Sequence, residues 1–210
     1  MTLPYTDSKD IDTLLGRAAT LIEKKLFDEA LVTLQHGLSL DPDNPKTWER
    51  IAACNLEMGK PKMAIEALNN LLRIQPNSYS GWADKGLLHL LMNETSEGIG
   101  ALKESLRLNP RRARDWELLA TVLISEERWD EALDALEKTL DMNPNSAVTW
   151  YNLAIVYLFF EELNLAVQAA EVAFSIDPSL RELAEDWIDM VDEDDTEDED
   201  DTALYDFAAS

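Results

Sequence analysis

The sequence predicts an all-α protein built from five tandem pairs of helices, and two observations lead to this prediction. Proline recurs at positions 42, 76, 110, 144 and 178, and tryptophan at 48, 82, 116 and 150, so each recurs every 34 residues. Between these positions, apolar residues recur at the spacing of a helix face rather than of a strand. Two residue types that share one period are typical of a repeat protein, in which each helix pair buries its apolar face against the next.

Composition limits what else the chain can be. It has 210 residues, of which 46% are hydrophobic, so most of it can fold around a core. The single cysteine, Cys54, excludes an intramolecular disulfide and a thiolate metal cluster, and it fits a reducing compartment. We therefore expect a cytoplasmic protein. No apolar run reaches the roughly 18 residues that a membrane span needs, and the N-terminus does not resemble a signal peptide.

The net charge of −24 is distributed unevenly. Residues 181–210 carry 14 acidic side chains and one arginine, whereas residues 1–180 carry 28 acidic and 17 basic side chains. This balance argues against DNA or RNA as a partner, because nucleic-acid phosphates are contacted by Lys and Arg. An acidic host proteome would also produce such a charge without any specific partner.

The first unit, residues 11–44, contains both helices of a pair. Leu14 and Leu21 lie on one face of its first helix. Asp28 favours the positive N-terminal end of the second helix. Pro42 marks the end of that helix, because the residue before a proline is pushed out of helical geometry.

The second unit, residues 45–78, has prolines at the two predicted helix starts. Pro45 opens the first helix, and Pro61, which follows Gly59, opens the second. In a helix interior either proline would cost about 3 kcal/mol or more. Their placement therefore supports the unit boundaries independently of the period.

The third unit, residues 79–112, has Gly98 and Gly100 in its second helix, each costing roughly 0.5–1 kcal/mol relative to alanine. Gly98 gives the close helix approach that alanine gives in the other units. Gly100 has no such role, so we expect local opening or a bend in this unit.

The fourth unit, residues 113–146, has Trp129 at the start of its second helix, where the first unit has Phe27. The fifth unit, residues 147–180, is the most apolar. Both units therefore have the apolar faces that stacked helix pairs require.

Four segments flank the five units. Residues 1–10 form an N-terminal segment, 181–190 a predicted capping helix, 191–202 an acidic linker and 203–210 an apolar-tipped tail. In the capping helix, Trp187 and Ile188 are expected to face the fifth unit. The linker is too charged to bury, so a solubilising role is its simplest interpretation. Beyond it, Leu204, Tyr205 and Phe207 have the character of a short docking peptide.

The repeats resemble the tetratricopeptide repeat (TPR), whose pattern is W-x2-L-[GA]-x2-Y, then A-x3-F, then P. The fifth unit carries the fullest match, with Trp150, Leu153, Ala154, Tyr157, Ala166, Ala170 and Pro178. The first unit has Leu14 in place of the tryptophan, and the third has Lys85 and His89 at usually apolar positions. The resemblance covers residues 11–180. It implies a right-handed α-solenoid of five TPR helix pairs plus a C-terminal capping helix.

The same resemblance implies that the first helices of the pairs line a concave groove that binds a protein or peptide. The expected groove residues are Arg50, Leu56, Leu87, Leu90, Leu91, Ile124, Tyr151, Asn152, Ile155, Leu158 and Phe159. Several of them could instead pack between neighbouring first helices, namely Leu56, Leu90, Ile124 and Leu158. The groove would suit an amphipathic helix or an extended apolar peptide.

Other functions find less support in the sequence. The TPR subclass that clamps chaperone C-termini needs Lys, Asn and Arg at set positions, which here hold Leu15, Ala19, Arg50, Ser80 and Asp84. Neither histidine has a nucleophile at a recognisable spacing, and no phosphate-binding glycine loop or EF-hand occurs. We therefore expect no catalysis, no cofactor and no metal.

Three functional hypotheses follow. The first is a non-enzymatic scaffold or adaptor that binds an apolar peptide or helix, gated by its own C-terminal tail. The second is a chaperone-like binder of basic proteins that acts through the acidic tail. The third is a self-assembling structural protein. The dependence of partner affinity on ionic strength distinguishes the first two hypotheses. Salt screens the attraction between charges, so it should weaken binding by the acidic tail and leave apolar binding in the groove largely unchanged.

Overall fold

A computed structural model gives the structure of the protein and describes residues 10–183. The chain divides into two compact units, which separate between Pro110 and Arg111. Unit 1 contains α1 (Ile11–Glu23), α2 (Phe27–Leu40), α3 (Pro45–Glu57), α4 (Pro61–Ile74), α5 (Tyr79–Leu91) and α6 (Thr95–Leu108). Unit 2 contains α7 (Ala113–Ser125), α8 (Trp129–Met142), α9 (Ala147–Phe159), α10 (Leu163–Ile176) and a 3₁₀ helix (Pro178–Leu183).

The helices are arranged in pairs. Unit 1 contains the pairs α1–α2, α3–α4 and α5–α6, and the second helix of each pair contacts the first helix of the next within the unit. Unit 2 contains the pairs α7–α8 and α9–α10, and α8 contacts α9. The predicted all-α fold of tandem helix pairs is therefore confirmed over residues 10–183.

The first helices of the pairs begin at capping residues that also recur every 34 positions. The side chains of Asp10, Asn44, Ser78 and Ser146 each accept a hydrogen bond from a backbone N–H in the first turn. Such caps satisfy donors that the helix itself leaves unpaired. Arg112 occupies the equivalent position before α7 and pairs instead with Asp115. Four of the five first helices that the structure describes therefore start at a residue whose side chain caps the helix.

The turn between the helices of each pair contains one residue in the left-handed region. These residues are Lys25, Gly59, Asn93, Glu127 and Glu161, with φ between 55° and 66°. Only glycine adopts this region at no steric cost, and asparagine tolerates it better than other residues. Three of the five turns therefore contain a residue that is poorly suited to its backbone conformation.

The two repeating residue types meet through a hydrogen bond between successive helix pairs. The Trp48 indole Nε1 donates to the Pro42 carbonyl oxygen at 2.9 Å, and Trp82 donates to Pro76 at the same distance. In unit 2, Trp150 donates to Pro144 at 2.8 Å. Each bond joins the first helix of one pair to the segment that ends the pair before it.

Small residues let the two helices of a pair approach closely. Ala30, Ala64, Ala132 and Ala166 are fully buried at equivalent positions. Gly98 holds this position in the third pair, where an added Cβ would lie 2.6 Å from Leu90 Cδ2. No heavy atom lies within 4 Å of the equivalent atom at Gly100. Gly98 is therefore needed for the close approach of α5 and α6, as predicted. The surroundings of Gly100 do not require a glycine.

The C-terminal segments fall largely outside the described residues. Leu183 ends the 3₁₀ helix, which contains the first three residues of the predicted capping helix. The predictions for the rest of the C-terminus lie outside the described residues. They concern Trp187, Ile188, the acidic linker and the tail residues Leu204, Tyr205 and Phe207. No helix within residues 10–183 combines the length and the apolar character that crossing a membrane requires.

Candidate functional site

Exposed leucines lie on the first helices of unit 1. Leu56 of α3 and Leu87 and Leu91 of α5 are exposed, and Leu91 shows 63% of its surface to solvent. Arg50 is half-buried on α3. Leu90 is also half-buried, and the close approach of its side chain to Gly98 shows that it packs against α6. Of the groove residues expected in unit 1, the three leucines are thus the most available to a partner.

Helix α9 of unit 2 has a partly exposed apolar face. Tyr151, Ile155 and Leu158 are half-buried, whereas Phe159 is 53% exposed. Val148 is also exposed and precedes Tyr151 by three residues, a spacing that puts both on one face of the helix. Val148 was not among the expected groove residues, although its spacing from Tyr151 places both on one helix face.

Two expected groove residues of unit 2 make specific polar contacts. Asn152 is buried, and its Nδ2 donates to Thr121 Oγ1 of α7 at 3.2 Å. The Tyr151 hydroxyl donates to the Leu183 carbonyl oxygen at 3.0 Å. Asn152 therefore joins α9 to α7, and Tyr151 joins α9 to the last described residue of the chain. Ile124, on α7, is half-buried.

A polar cluster lies where α7 meets the start of α9. Glu117 Oε1 accepts hydrogen bonds from Ser146 Oγ and from Thr149 Oγ1, the latter at 2.8 Å. Thr149 is fully buried, so its hydroxyl needs such a partner. This part of unit 2 therefore orients α7 and α9 rather than offering an apolar surface.

Three aromatic side chains meet at the turn end of α9. Phe159 stacks on Trp129, the first residue of α8, with ring centroids 4.3 Å apart and planes 16° from parallel. Phe160 meets Phe159 edge-on at 5.6 Å. We call Trp129, Phe159 and Phe160 the aromatic edge. The sequence predicted Phe159 as a groove residue but did not connect it to Trp129, because the two belong to different helix pairs.

Acidic residues surround the aromatic edge. Glu126 and Glu127 lie three and two positions before Trp129, and Glu161 and Glu162 directly follow Phe160; all four are exposed. Burial raises the pKa of the nearby Tyr157 hydroxyl, and the carboxylates of Glu137 and Glu162 raise it further. This part of unit 2 is therefore a region of negative potential.

The two units differ strongly in charge. Residues 1–110 contain 15 acidic and 12 basic side chains, whereas residues 111–210 contain 27 acidic and six basic side chains. Within the described part of unit 2, residues 111–183, the counts are 14 and six. The negative charge of unit 2 is therefore not confined to its C-terminal segment.

Several solved structures have a similar fold. MamA aligns with a TM-score of 0.73 at 22% identity, covering 82% of this chain and 94% of that chain. YrrB, described as a TPR protein with an unusual peptide-binding site, aligns at 0.72 and 19% identity, covering 82% and 89%. PilF of Pseudomonas aeruginosa aligns at 0.64 and 20% identity, covering 79% and 76%. At these identities the likeness concerns the fold alone, which is the α-solenoid of helix pairs.

Comparison of the sequence with family models gives the family directly. Models of the tetratricopeptide repeat match residues 21–85 and 113–156, which together make up more than half of the chain. No curated protein sequence gives a significant match. The matched segments lie in both units and contain all four recurring tryptophans and three of the five recurring prolines. The chain belongs to the tetratricopeptide repeat family.

Proposed function

We propose that the protein is a non-enzymatic scaffold that binds a protein or peptide partner through the first helices of its repeats. The observation that carries this proposal is the exposure of Leu56, Leu87 and Leu91 in unit 1 and of Phe159 in unit 2. Large apolar side chains that stay exposed in a folded unit are candidate contact points for a partner, and each unit offers its own. YrrB is described as a peptide-binding TPR protein, and we extend that capacity, but not its site, to this chain.

Affinity capture from the source's own extract tests this function. The baits are the full-length protein, Leu91→Glu, Phe159→Glu and the control Val32→Glu. Val32 lies on α2, a second helix, and is 56% exposed, so it matches the other two in exposure. A partner that the control retains and the first two variants lose supports the proposal. Identical capture by all four baits contradicts it.

We further propose that the C-terminal tail gates this site, with Leu204, Tyr205 and Phe207 as the docking residues. The bond from the Tyr151 hydroxyl to Leu183 supports this, because the described chain ends beside α9. The linker of residues 191–202 could span at most about 40 Å when extended. Deletion of residues 202–210 should increase the binding of a hydrophobic dye. Unchanged dye binding together with an unchanged oligomeric state would exclude the gate.

A second candidate function rests on charge. The excess of acidic residues in unit 2 favours a chaperone-like binder of basic proteins that uses the acidic linker. Such binding should weaken strongly between low and high salt, whereas apolar binding at Leu56, Leu87 and Leu91 should change little. Light scattering of the full-length and tail-deleted proteins addresses the third possibility, self-assembly.

A further inference from the structure

The aromatic edge combines an exposed ring with a negative surround. One face of Phe159 lies against Trp129, and the rest of the ring contributes to its 53% exposure. Six carboxylates lie in the two adjoining turns and in the first turn of α8: Glu126, Glu127, Asp130, Glu131, Glu161 and Glu162. The nearby cation, Arg128, is paired, because its Nε donates to Glu131 Oε1 at 2.7 Å. The surround therefore retains a net negative charge.

This charge distinguishes between the possible occupants. A second copy of the chain would bring its own net charge of −24 to the site. The chain's own tail would bring the acidic linker of residues 191–202 close to the same carboxylates, so it would be a weakly held occupant that a partner of opposite charge displaces. Like charges brought together at an interface cost binding free energy, whereas complementary charges favour association. A basic segment is therefore the occupant that the electrostatics favour.

The ring chemistry agrees with this choice. An aromatic face attracts the ammonium of Lys or the guanidinium of Arg, and the contact is worth about 0.5–1 kcal/mol at an exposed site. The aliphatic stems of these side chains can also cover apolar surface while their charged ends stay near the carboxylates. One basic side chain could thus satisfy both features of the aromatic edge.

The equivalent place in unit 1 has a different character. Two repeats before Phe159 the chain has Leu91, and two repeats before Trp129 it has Pro61. Lys60 and Lys62 flank Pro61, and both are exposed. In unit 1 this pair of positions therefore holds apolar residues next to two lysines. In unit 2 it holds aromatic residues next to carboxylates.

We propose that the aromatic edge of unit 2 binds a basic segment of the protein partner, with a Lys or Arg side chain on Phe159 and further cations at the adjoining turns. This rests on the proposed scaffold function and adds the chemistry of the partner. It places the charge-dependent contact on the folded repeats rather than on the C-terminal linker.

Three labelled synthetic peptides of equal length and equal leucine content test the proposal. Their remaining positions are all Lys, all Gln or all Glu, and fluorescence anisotropy measures their affinity for the full-length protein. The Lys peptide should bind at least about tenfold more tightly than the Gln peptide, and the Glu peptide most weakly. Phe159→Ala should weaken the Lys peptide about tenfold, a typical loss for a central aromatic contact. Val32→Ala should have no effect.

Two charge variants that keep the C-terminal linker intact separate this site from the linker. Glu126→Gln/Glu127→Gln/Glu161→Gln removes three charges at the aromatic edge. Asp134→Asn/Asp141→Asn/Glu171→Gln removes three exposed charges elsewhere in unit 2. The first should weaken the Lys peptide several-fold more than the second. Equal losses, or no effect of Phe159→Ala, would overturn the proposal, because the aromatic edge would then contribute no more than any other acidic part of the chain.

The remaining outcomes are also decisive. If all three peptides bind equally and Phe159→Ala weakens each of them, the scaffold function stands and the basic partner is wrong. If none of the three binds, this proposal fails, and the affinity capture above judges the scaffold function separately. If Phe159→Ala instead turns a dimer into a monomer, a second copy covers the aromatic edge and the proposal fails.

Discussion

The indole of Trp150 is buried and donates a hydrogen bond from Nε1 to the carbonyl oxygen of Pro144 at 2.8 Å. Trp48 and Trp82 make the same bond to Pro42 and Pro76 in unit 1. The proline lies after one helix pair, and its carbonyl is bound by the first helix of the next. This bond links the two recurring positions, with the tryptophan as donor and the backbone carbonyl at the proline position as acceptor.

Trp150→Phe should lower the free energy of unfolding by about 1–3 kcal/mol, because it removes the hydrogen bond and leaves a gap beside a buried ring. Urea denaturation followed by circular dichroism measures the change. Trp48→Phe should cost less, since Trp48 is half-exposed. An unchanged midpoint for Trp150→Phe would show that the bond contributes nothing to stability.

Glu161→Gly should raise the free energy of unfolding by about 0.5–1 kcal/mol, because Glu161 has a φ of 62° that glycine adopts without strain. Thermal unfolding provides the measurement. Glu161→Gln keeps the strain, removes the charge and should leave the stability nearly unchanged. Gly59→Ala should have the opposite sign, since Gly59 has a φ of 66°. A loss of stability in Glu161→Gly would contradict this account of the turns.

The two glycines of α6 should respond to alanine in opposite directions. Gly100→Ala should stabilise the protein by roughly 0.5–1 kcal/mol, because the new methyl meets open space and alanine favours a helix. Gly98→Ala should destabilise it, since overpacking typically costs about 1–3 kcal/mol and both Leu90 Cγ and Cδ2 lie too close. Chemical denaturation of the two variants provides the comparison. Stabilisation by both would mean that Leu90 moves aside freely.

Cys54 should be nearly inert in the folded protein. The residue is buried, and burial raises the pKa of its thiol, an effect that the charge of Arg50 partly opposes. The unfolded thiol has a pKa near 8.5, so between pH 8 and 9 it forms more of the reactive thiolate than the folded one does. A thiol reagent at pH 8 should react at least about a hundredfold more slowly with native than with urea-unfolded protein. Equal rates would show that α3 opens readily.

The 34-residue period was enough to predict the helix pairs of the fold. It was not enough to predict which side chains of the first helices are exposed. Leu90 and Leu91 are adjacent apolar residues of one helix, yet only Leu91 is exposed, because Gly98 leaves space for Leu90 alone. Asn152 lies at a position expected to face the groove, yet it is buried and bonded to Thr121 of the neighbouring helix. Such outcomes depend on single residues of a neighbouring helix, which a repeating pattern does not specify.

The contact of Trp129 with Phe159 is another feature that the repeat pattern could not predict. Its stack with Phe159 joins a second helix to the first helix of the next pair. One repeat earlier the equivalent positions hold Thr95 and Ser125, so the pair leaves no periodic trace in the sequence. Contacts between repeats that occur at only one place can be found only from the structure.

The most direct test of the account is the affinity of the captured partner for the full-length protein, Leu91→Ala, Phe159→Ala and the tail-deleted form. Loss of an exposed apolar anchor should weaken binding about tenfold or more in at least one of the two alanine variants. The tail-deleted form should bind as tightly as the intact chain, or more tightly if the tail gates the site. Unchanged affinity in both alanine variants, with binding abolished by tail deletion, would contradict the claim that the repeats themselves bind the partner.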